Sequence, residues 1–267
     1  MLFRELRPGV FLANLEAENV NIVALLGSQC AALVDAGASP EQGLALRSQV
    51  DDLADARGIR LGEVMLTHAH WDHSFGLNAF ADLSIIAQEQ WAEDLNCAED
   101  REAAGRLGVD LAALPQPQSL IALIGLRQLG GLTVEIAHLG PAHSRCDLIM
   151  AIPEQSTFIV GDLVEMAGPQ FDETSSIEGW VKTLDALYSM VHDDSLIIPG
   201  HGPALNRAEL AHFRSGLAAI WDQSEWVFRQ GVAQDDAYDH DGLEWPWDRS
   251  TVEAGIAASY RELRARV

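Results

Sequence analysis

The sequence predicts an α/β chain folded as a four-layer αββα sandwich with a C-terminal helical extension. Three observations carry this prediction. Two strand-rich stretches run from Val10 to Ala87 and from Leu120 to Ile198. Helical patterns interleave both, which is how two packed sheets acquire an outer cover. A cluster of metal-ligating residue types, His68, His70, Asp72 and His73, directly follows the apolar run Val64-Met65-Leu66, placing it where a strand opens into a loop. Residues 1–205 form the αββα domain in this reading, and residues 206–267 an extension packed on it.

Val10–Leu15, Val20–Gly27 and Cys30–Asp35 read as short strands separated by Asn, Glu and Gly-Ser-Gln breaks, the pattern of an antiparallel meander. Ser39-Pro40-Glu41-Gln42 opens a helix, with Ser at the N-cap, Pro at the first helical position and Gln three after the cap. Leu44, Leu46, Val50 and Leu53 give it an inner face, and Arg57-Gly58 closes it. A strand at Glu63–Thr67 delivers the histidine cluster, Phe75–Phe80 reads as a short helix, and Leu83–Ala87 as the next strand.

Residues 88–119 are polar, helical by composition (Gln88–Asn96, Glu99–Leu107) and end in Pro115-Gln116-Pro117. They read as an insertion that caps the site. Its Trp91 is either a wall of the substrate pocket or a helix-face core residue. Strands follow at Leu120–Ile124, Leu132–Ala137, Leu148–Ile152 and Thr157–Val160. Ile177–Val191 is a helix with Trp180, Leu184, Leu187 and Tyr188 on one side, and Ser195–Ile198 a strand. From Arg207 to Gln230 a long amphipathic helix aligns Leu210, Phe213, Leu217, Ile220, Trp221 and Val227. That stripe is core or the seam of a homodimer. An acidic turn at Asp235–Gly242 and a helix over residues 249–266 complete the chain.

Hydrophobic content of 48% and charged content of 21% are those of a soluble globular protein. No apolar run reaches the ~20 residues of a membrane span, and the N-terminal residues lack an apolar signal core of ~7–15 residues. A cytoplasmic protein without a membrane partner is expected. Cys30, Cys97 and Cys146 are too few and too scattered for a disulfide framework or a Cys-x-x-Cys zinc site. The net charge of −23, with Lys182 the one lysine, sets the chain against phosphate backbones and so against nucleic acid. The expected partner is a small-molecule substrate.

Neutral imidazole nitrogens and a carboxylate oxygen are what Zn²⁺ prefers. The cluster Thr67-His68-Ala69-His70-Trp71-Asp72-His73 resembles the H-x-H-x-D-H signature of the metallo-β-lactamase superfamily. The family's further ligands follow in the same order: His143 in Leu139-Gly140-Pro141-Ala142-His143, Asp162 in Phe158-Ile159-Val160-Gly161-Asp162, and His201 in Pro199-Gly200-His201-Gly202. His138 competes with His143, whose Gly-Pro-Ala lead suits a loop wrapped on a metal.

The resemblance implies one metal held by His68, His70 and His143, a second by Asp72, His73 and His201, and Asp162 between them. It implies two Zn²⁺, or a single Fe if the chain is a persulfide dioxygenase-like oxygenase. With zinc, a metal-bound hydroxide would attack an ester, thioester, lactone or amide carbonyl, and Asp72 would act as general acid–base. Asp35 occupies the place of a carboxylate that orients the zinc histidines. Arg145, beside a ligand, is a candidate for holding an anionic substrate. Lactamases of the commonest type resemble this chain but replace the bridging aspartate with cysteine and place a lysine three residues later. Here those positions are Asp162 and Glu165, which argues against efficient lactam binding.

Overall fold

The computed structural model describes residues 3–266. Its first half lays strands side by side in chain order: β1 (Arg4–Arg7), β2 (Val10–Leu15), β3 (Val20–Leu26), β4 (Ala31–Val34), β5 (Leu61–Met65), β6 (Ser84–Gln88) and β7 (Ser119–Ile121). β1 to β4 pair antiparallel through short turns, whereas β4 to β7 pair parallel. Parallel pairing needs a crossover connection. The first is α1 (Pro40–Asp55), started by Ser39 Oγ accepting from Gln42 N at 3.2 Å. Its inner face is Gly43, Leu46, Val50 and Ala54, while Leu44 is exposed. A Cβ on Gly43 would run into the Gly76 backbone, so the helix seats closest where it has no side chain.

α2 (Trp71–Ser74) and a 3-10 turn at Leu77–Phe80 lie between β5 and β6. α3 (Trp91–Asp94) and α4 (Ala98–Leu107) form the insertion before β7. The expected helix from Gln88 to Asn96 shrinks to α3, because Gln88 still belongs to β6.

The second sheet has the order β12-β11-β10-β9-β8, from β8 (Ile124–Gln128), β9 (Thr133–Ala137), β10 (Ile149–Ile152), β11 (Thr157–Gly161) and β12 (Leu196–Pro199). Only β11 and β12 pair parallel, and α5 (Ile177–Met190) makes their crossover. The single strand expected at Leu120–Ile124 is therefore two ends. Ser119–Ile121 closes the first sheet and Ile124 opens the second, one apolar run serving both. The chain finishes with α6 (Arg207–Arg229), α7 (Gln234–Ala237), which overlaps the start of the expected acidic turn, and α8 (Arg249–Arg264).

Strand periodicity sorts these elements into layers. In β3, Val23 and Leu25 face the second sheet, while Ile22, Ala24 and Leu26 face the α1 side. In β10, Met150 and Ile152 meet the first sheet, while Ile149 and Ala151 meet α5 and α6. The result is the expected αββα sandwich. Trp91, Leu95, Ala103 and Leu114 of the insertion join the α1 core. The α6 stripe packs with residues of α5 and α8, which makes it core rather than a dimer seam. Among the described residues no helix is long and apolar enough to cross a membrane.

Candidate metal centre

The sheets meet at an edge where four loops converge. β5 runs into His68, His70, Asp72 and His73; β11 ends at Gly161 and presents Asp162; β12 ends at Pro199 and turns through Gly200 to His201. His143 comes from the loop between β9 and β10. All seven side chains are buried or nearly so.

They form two groups. His68, His70, His143 and Asp162 bring one ligand atom each within 4.8 Å of one another, as do Asp72, His73 and His201. In the first, His68 Nε2 and His143 Nε2 stand 3.1 and 2.9 Å from His70 Nδ1. Nitrogens at ~2.0–2.1 Å from a tetrahedral zinc would stand roughly 3.4 Å apart, so the triad is close to that spacing. In the second, His201 Nε2 lies 3.1 Å from Asp72 Oδ2 and 3.4 Å from His73 Nε2. Asp162 faces both: Oδ2 is 3.7 Å from His68 Nε2, 3.7 Å from His143 Nε2 and 3.4 Å from His201 Nε2, and Oδ1 is 3.3 Å from His73 Nε2.

Hydrogen bonds behind the imidazoles fix which nitrogen points inward. Asp35 Oδ2 accepts from His73 Nδ1 at 2.8 Å and from Thr67 Oγ1 at 2.9 Å, and its Oδ1 accepts from Thr67 N at 2.8 Å. Since the Thr67 hydroxyl spends its proton on Asp35, it accepts from His68 Nδ1 at 3.0 Å. The Glu18 carbonyl accepts from His201 Nδ1 at 3.1 Å, and Asp172 Oδ2 from His70 Nε2 at 3.1 Å. Four rings thereby aim a lone pair into the site, the arrangement in which a ligating histidine donates its other N–H to an outer partner. His143 differs: its Nδ1 is buried without a hydrogen-bond partner, 3.9 Å from Glu165 Oε2.

Lone pairs facing lone pairs and carboxylates leave a cradle that needs positive charge. Without a cation, protons must supply it. Burial pulls His73 and His201 down, but Asp162 and Asp72 outweigh it and push them up to about 10 and about 12. Burial likewise opposes protonation of His70, yet the Asp172 hydrogen bond raises it well above its usual value. His68 and His143 are driven down, His143 to about 4, by burial and then by the charge of neighbouring histidines. Burial raises Asp162, yet His73 and His201 hold it well below the usual carboxylate range. Asp162 Oδ1 has no hydrogen-bond partner among the described residues. This donor set fits metal cations.

The loop carrying His201 is placed by two devices. Asn21 Nδ2 donates to the carbonyls of Pro199 and Gly202 at 2.9 and 2.7 Å. Gly200 passes directly over Asp162, where an added Cβ would overlap Oδ1.

Two expected substrate residues lie elsewhere. Trp91 is fully buried and donates from Nε1 to the His68 carbonyl at 3.2 Å, supporting the ligand loop from behind instead of lining the cleft. Arg145 is drawn away by Asp94, to which its N and Nε donate at 2.9 and 2.6 Å. His138 sits apart, with Nδ1 2.9 Å from the Asp147 carbonyl, and Cys146 is packed in the core. Sequence reasoning missed Asp172, Asn21 and the Glu18 carbonyl, none of which carries a local signal. Thr67, adjoining the cluster, was in plain view.

A model of the metallo-beta-lactamase superfamily matches residues 15–201. A metallo-beta-lactamase type 2 from Bacillus sp. (strain 170) is 23% identical over 158 residues, 57% of this chain and 56% of that protein. The chain thus spans little more than half the length of that relative. A metallo-beta-lactamase from Pontibacter korlensis superposes with a TM-score of 0.66 at 17% identity, covering 81% of this chain and 98% of its own. The stereoselective inverting sec-alkylsulfatase Pisa1 from Pseudomonas sp. superposes with a TM-score of 0.75 at 15% identity, over 97% of this chain and 49% of its own. At such identities the likeness to solved structures is one of fold.

Proposed function

The chain belongs to the metallo-beta-lactamase superfamily, and from that premise we propose that it is a dinuclear zinc hydrolase of small-molecule esters, thioesters, lactones or amides. The observation that carries this is the Asp162 carboxylate, which faces both groups of ligand atoms, Oδ2 toward His68, His143 and His201 and Oδ1 toward His73. His68, His70 and His143 would hold one ion, Asp72, His73 and His201 the other, with Asp162 shared. Bound zinc supplies a water of lowered pKa and a Lewis acid for the electrophile's oxygen.

The chain's own groups do the rest. Asp72 lines the cleft with Oδ2 3.1 Å from His201 Nε2. Burial pushes its carboxyl up, but His73 and His201 hold it below its usual value, so it is ionised. Asp72 would take the proton of the attacking water and hand it to the leaving group. Asp35, Asp172 and the Glu18 carbonyl keep the rings in register. Glu165, at the position of the lactamase lysine, is buried and accepts from Gln170 N at 2.8 Å, so it offers nothing to a drug's carboxylate. A single iron, as in persulfide oxygenation, would leave Asp72, His73 and His201 without a task.

Elemental analysis of protein purified without added metal is expected to give about two zinc per chain. The loaded protein should hydrolyse members of an ester, thioester, lactone, amide and alkyl sulfate panel above a His68→Ala control. Hydrolysis no faster than that control refutes the proposal. Iron with little zinc would redirect it to oxygen uptake with persulfides.

A further inference from the structure

Two cavities open on the metal centre, and both are lined by Gln170 and His201. The inner one, about 70 Å³, is far smaller than the ~300–1,000 Å³ that encloses a whole ligand. It admits the reacting group and its nearest substituents. Its walls carry Asp72, Asp162, Asp172 and Glu99. The outer cavity, about 290 Å³, adds Glu18 and Glu165. Among the described residues, no Lys or Arg lines either one.

The nearby arginines stand off the cavity walls. Arg145 is held by Asp94, Arg261 Nη2 donates to the backbone carbonyls of Asp172 and Ser175, and Arg106 stacks on Trp71 at 5.0 Å. Glu99 Oε1 accepts from Trp71 Nε1 at 3.1 Å. Asp172 Oδ1 gathers Thr174 N and Oγ1 and Ser175 N and Oγ between 2.7 and 3.1 Å. These neutral donors fix both carboxylates without cancelling their charge. Asp162 Oδ1, buried and without a hydrogen-bond partner, faces the same centre.

Charge decides what may approach. Two divalent cations with Asp72, Asp162 and one hydroxide would carry a single positive charge; Asp172 and Glu99 bring two negative charges to the cavity wall, against one positive charge on Arg261 behind it, so the cavity side is the negative side. An anionic substituent beside the scissile bond is then repelled and a cationic one attracted. Resting on the hydrolase reading above, we infer that the site selects esters or amides that carry an ammonium group close to the scissile bond, with Glu99 and Asp172 as its counter-charges.

The test uses metal-loaded protein at pH 7 and three matched esters: β-alanine ethyl ester, its uncharged isostere ethyl butyrate, and the anionic monoethyl succinate. The cationic ester should lead the neutral one by about tenfold in kcat/KM, mainly through KM, and the lead should shrink at high salt. Glu99→Gln, which keeps an acceptor for Trp71, should remove most of that lead. Equal rates for the cationic and neutral esters, or preference for the succinate or for an alkyl sulfate, overturn the inference. Saturation-transfer NMR with propylammonium and butanoate reads selectivity without turnover. Propylammonium binding that weakens in Glu99→Gln supports the inference even if no ester is cleaved, a result that would sink the hydrolase reading alone. Butanoate binding as well as propylammonium overturns it.

Discussion

Asp35→Asn is the sharpest perturbation of the metal centre, because it changes hydrogen-bond polarity without changing shape. Asp35 is buried at a positive φ of 65° and accepts three hydrogen bonds, two from Thr67 and one from His73. An asparagine can keep its carbonyl oxygen on Thr67 N. Its NH2 then faces two groups that now donate, His73 Nδ1–H and the Thr67 hydroxyl. The least costly escape is for His73 to move its proton to Nε2, the nitrogen aimed at Asp162 and His201. Thr67 is released at the same time and no longer has to accept from His68. One substitution thus disturbs a ligand in each group. Losing an outer partner of a metal ligand costs ~10–100-fold in affinity, or roughly 1.4–2.7 kcal/mol. Zinc competition against a chromophoric chelator would measure it, with circular dichroism confirming the fold. The drop should be greater for one of the two ions, the one on His73. Unchanged affinity for both ions in a folded variant would refute the reasoning.

Other outcomes follow from the same geometry. Gly200→Ala forces a Cβ onto Asp162 Oδ1, so zinc content measured after dialysis should fall below that of the wild type; full retention would show that the loop yields freely. Trp91→Phe removes the bond to the His68 carbonyl but keeps the core filled, so it should lower stability by about 0.5–1.5 kcal/mol in urea titration and leave KM unchanged. A raised KM would put Trp91 back in the pocket. In the metal-free protein, His73 and His201 titrate near 10 and 12, above their unfolded value. Their contribution to stability is therefore complete below about pH 6.5 and is lost as pH rises through 10 to 12. Zinc must displace those protons, so its apparent affinity should climb between pH 7 and 9 by about tenfold per unit for each proton released. A flat profile would show that the two rings are already neutral.

The part of the site that lay open in the sequence is the part made of closely spaced, chemically scarce residues. His68, His70, Asp72 and His73 sit within six positions, and His143, Asp162 and His201 each follow a recognisable loop. Of the carboxylates around them, Asp35 was marked by the family resemblance and Asp172 was not. Asp172 is one of 40 acidic residues, and only the fold brings it to His70. Arg145 looked available because it adjoins a ligand, but its partner Asp94 is 51 residues away. In the fold, the misread boundaries have physical causes. Leu120–Ile124 is apolar throughout, so nothing in composition marks where the chain leaves one sheet for the other. Leu44 fits a helical stripe by count, but backbone contact at Gly43 rotates the helix against its sheet.

The ligands come from both sheets: four from the end of β5, and the others from loops that join or follow strands of the second sheet. A metal bound there is a rivet across the seam of the sandwich as well as a reagent. The two halves can each collapse on their own helices, and protons on His73 and His201 hold their edge together until cations take over from them. Metal supply would then govern how much of the newly made chain survives, so that starvation for the ion would show first as shortened lifetime and only second as lost turnover.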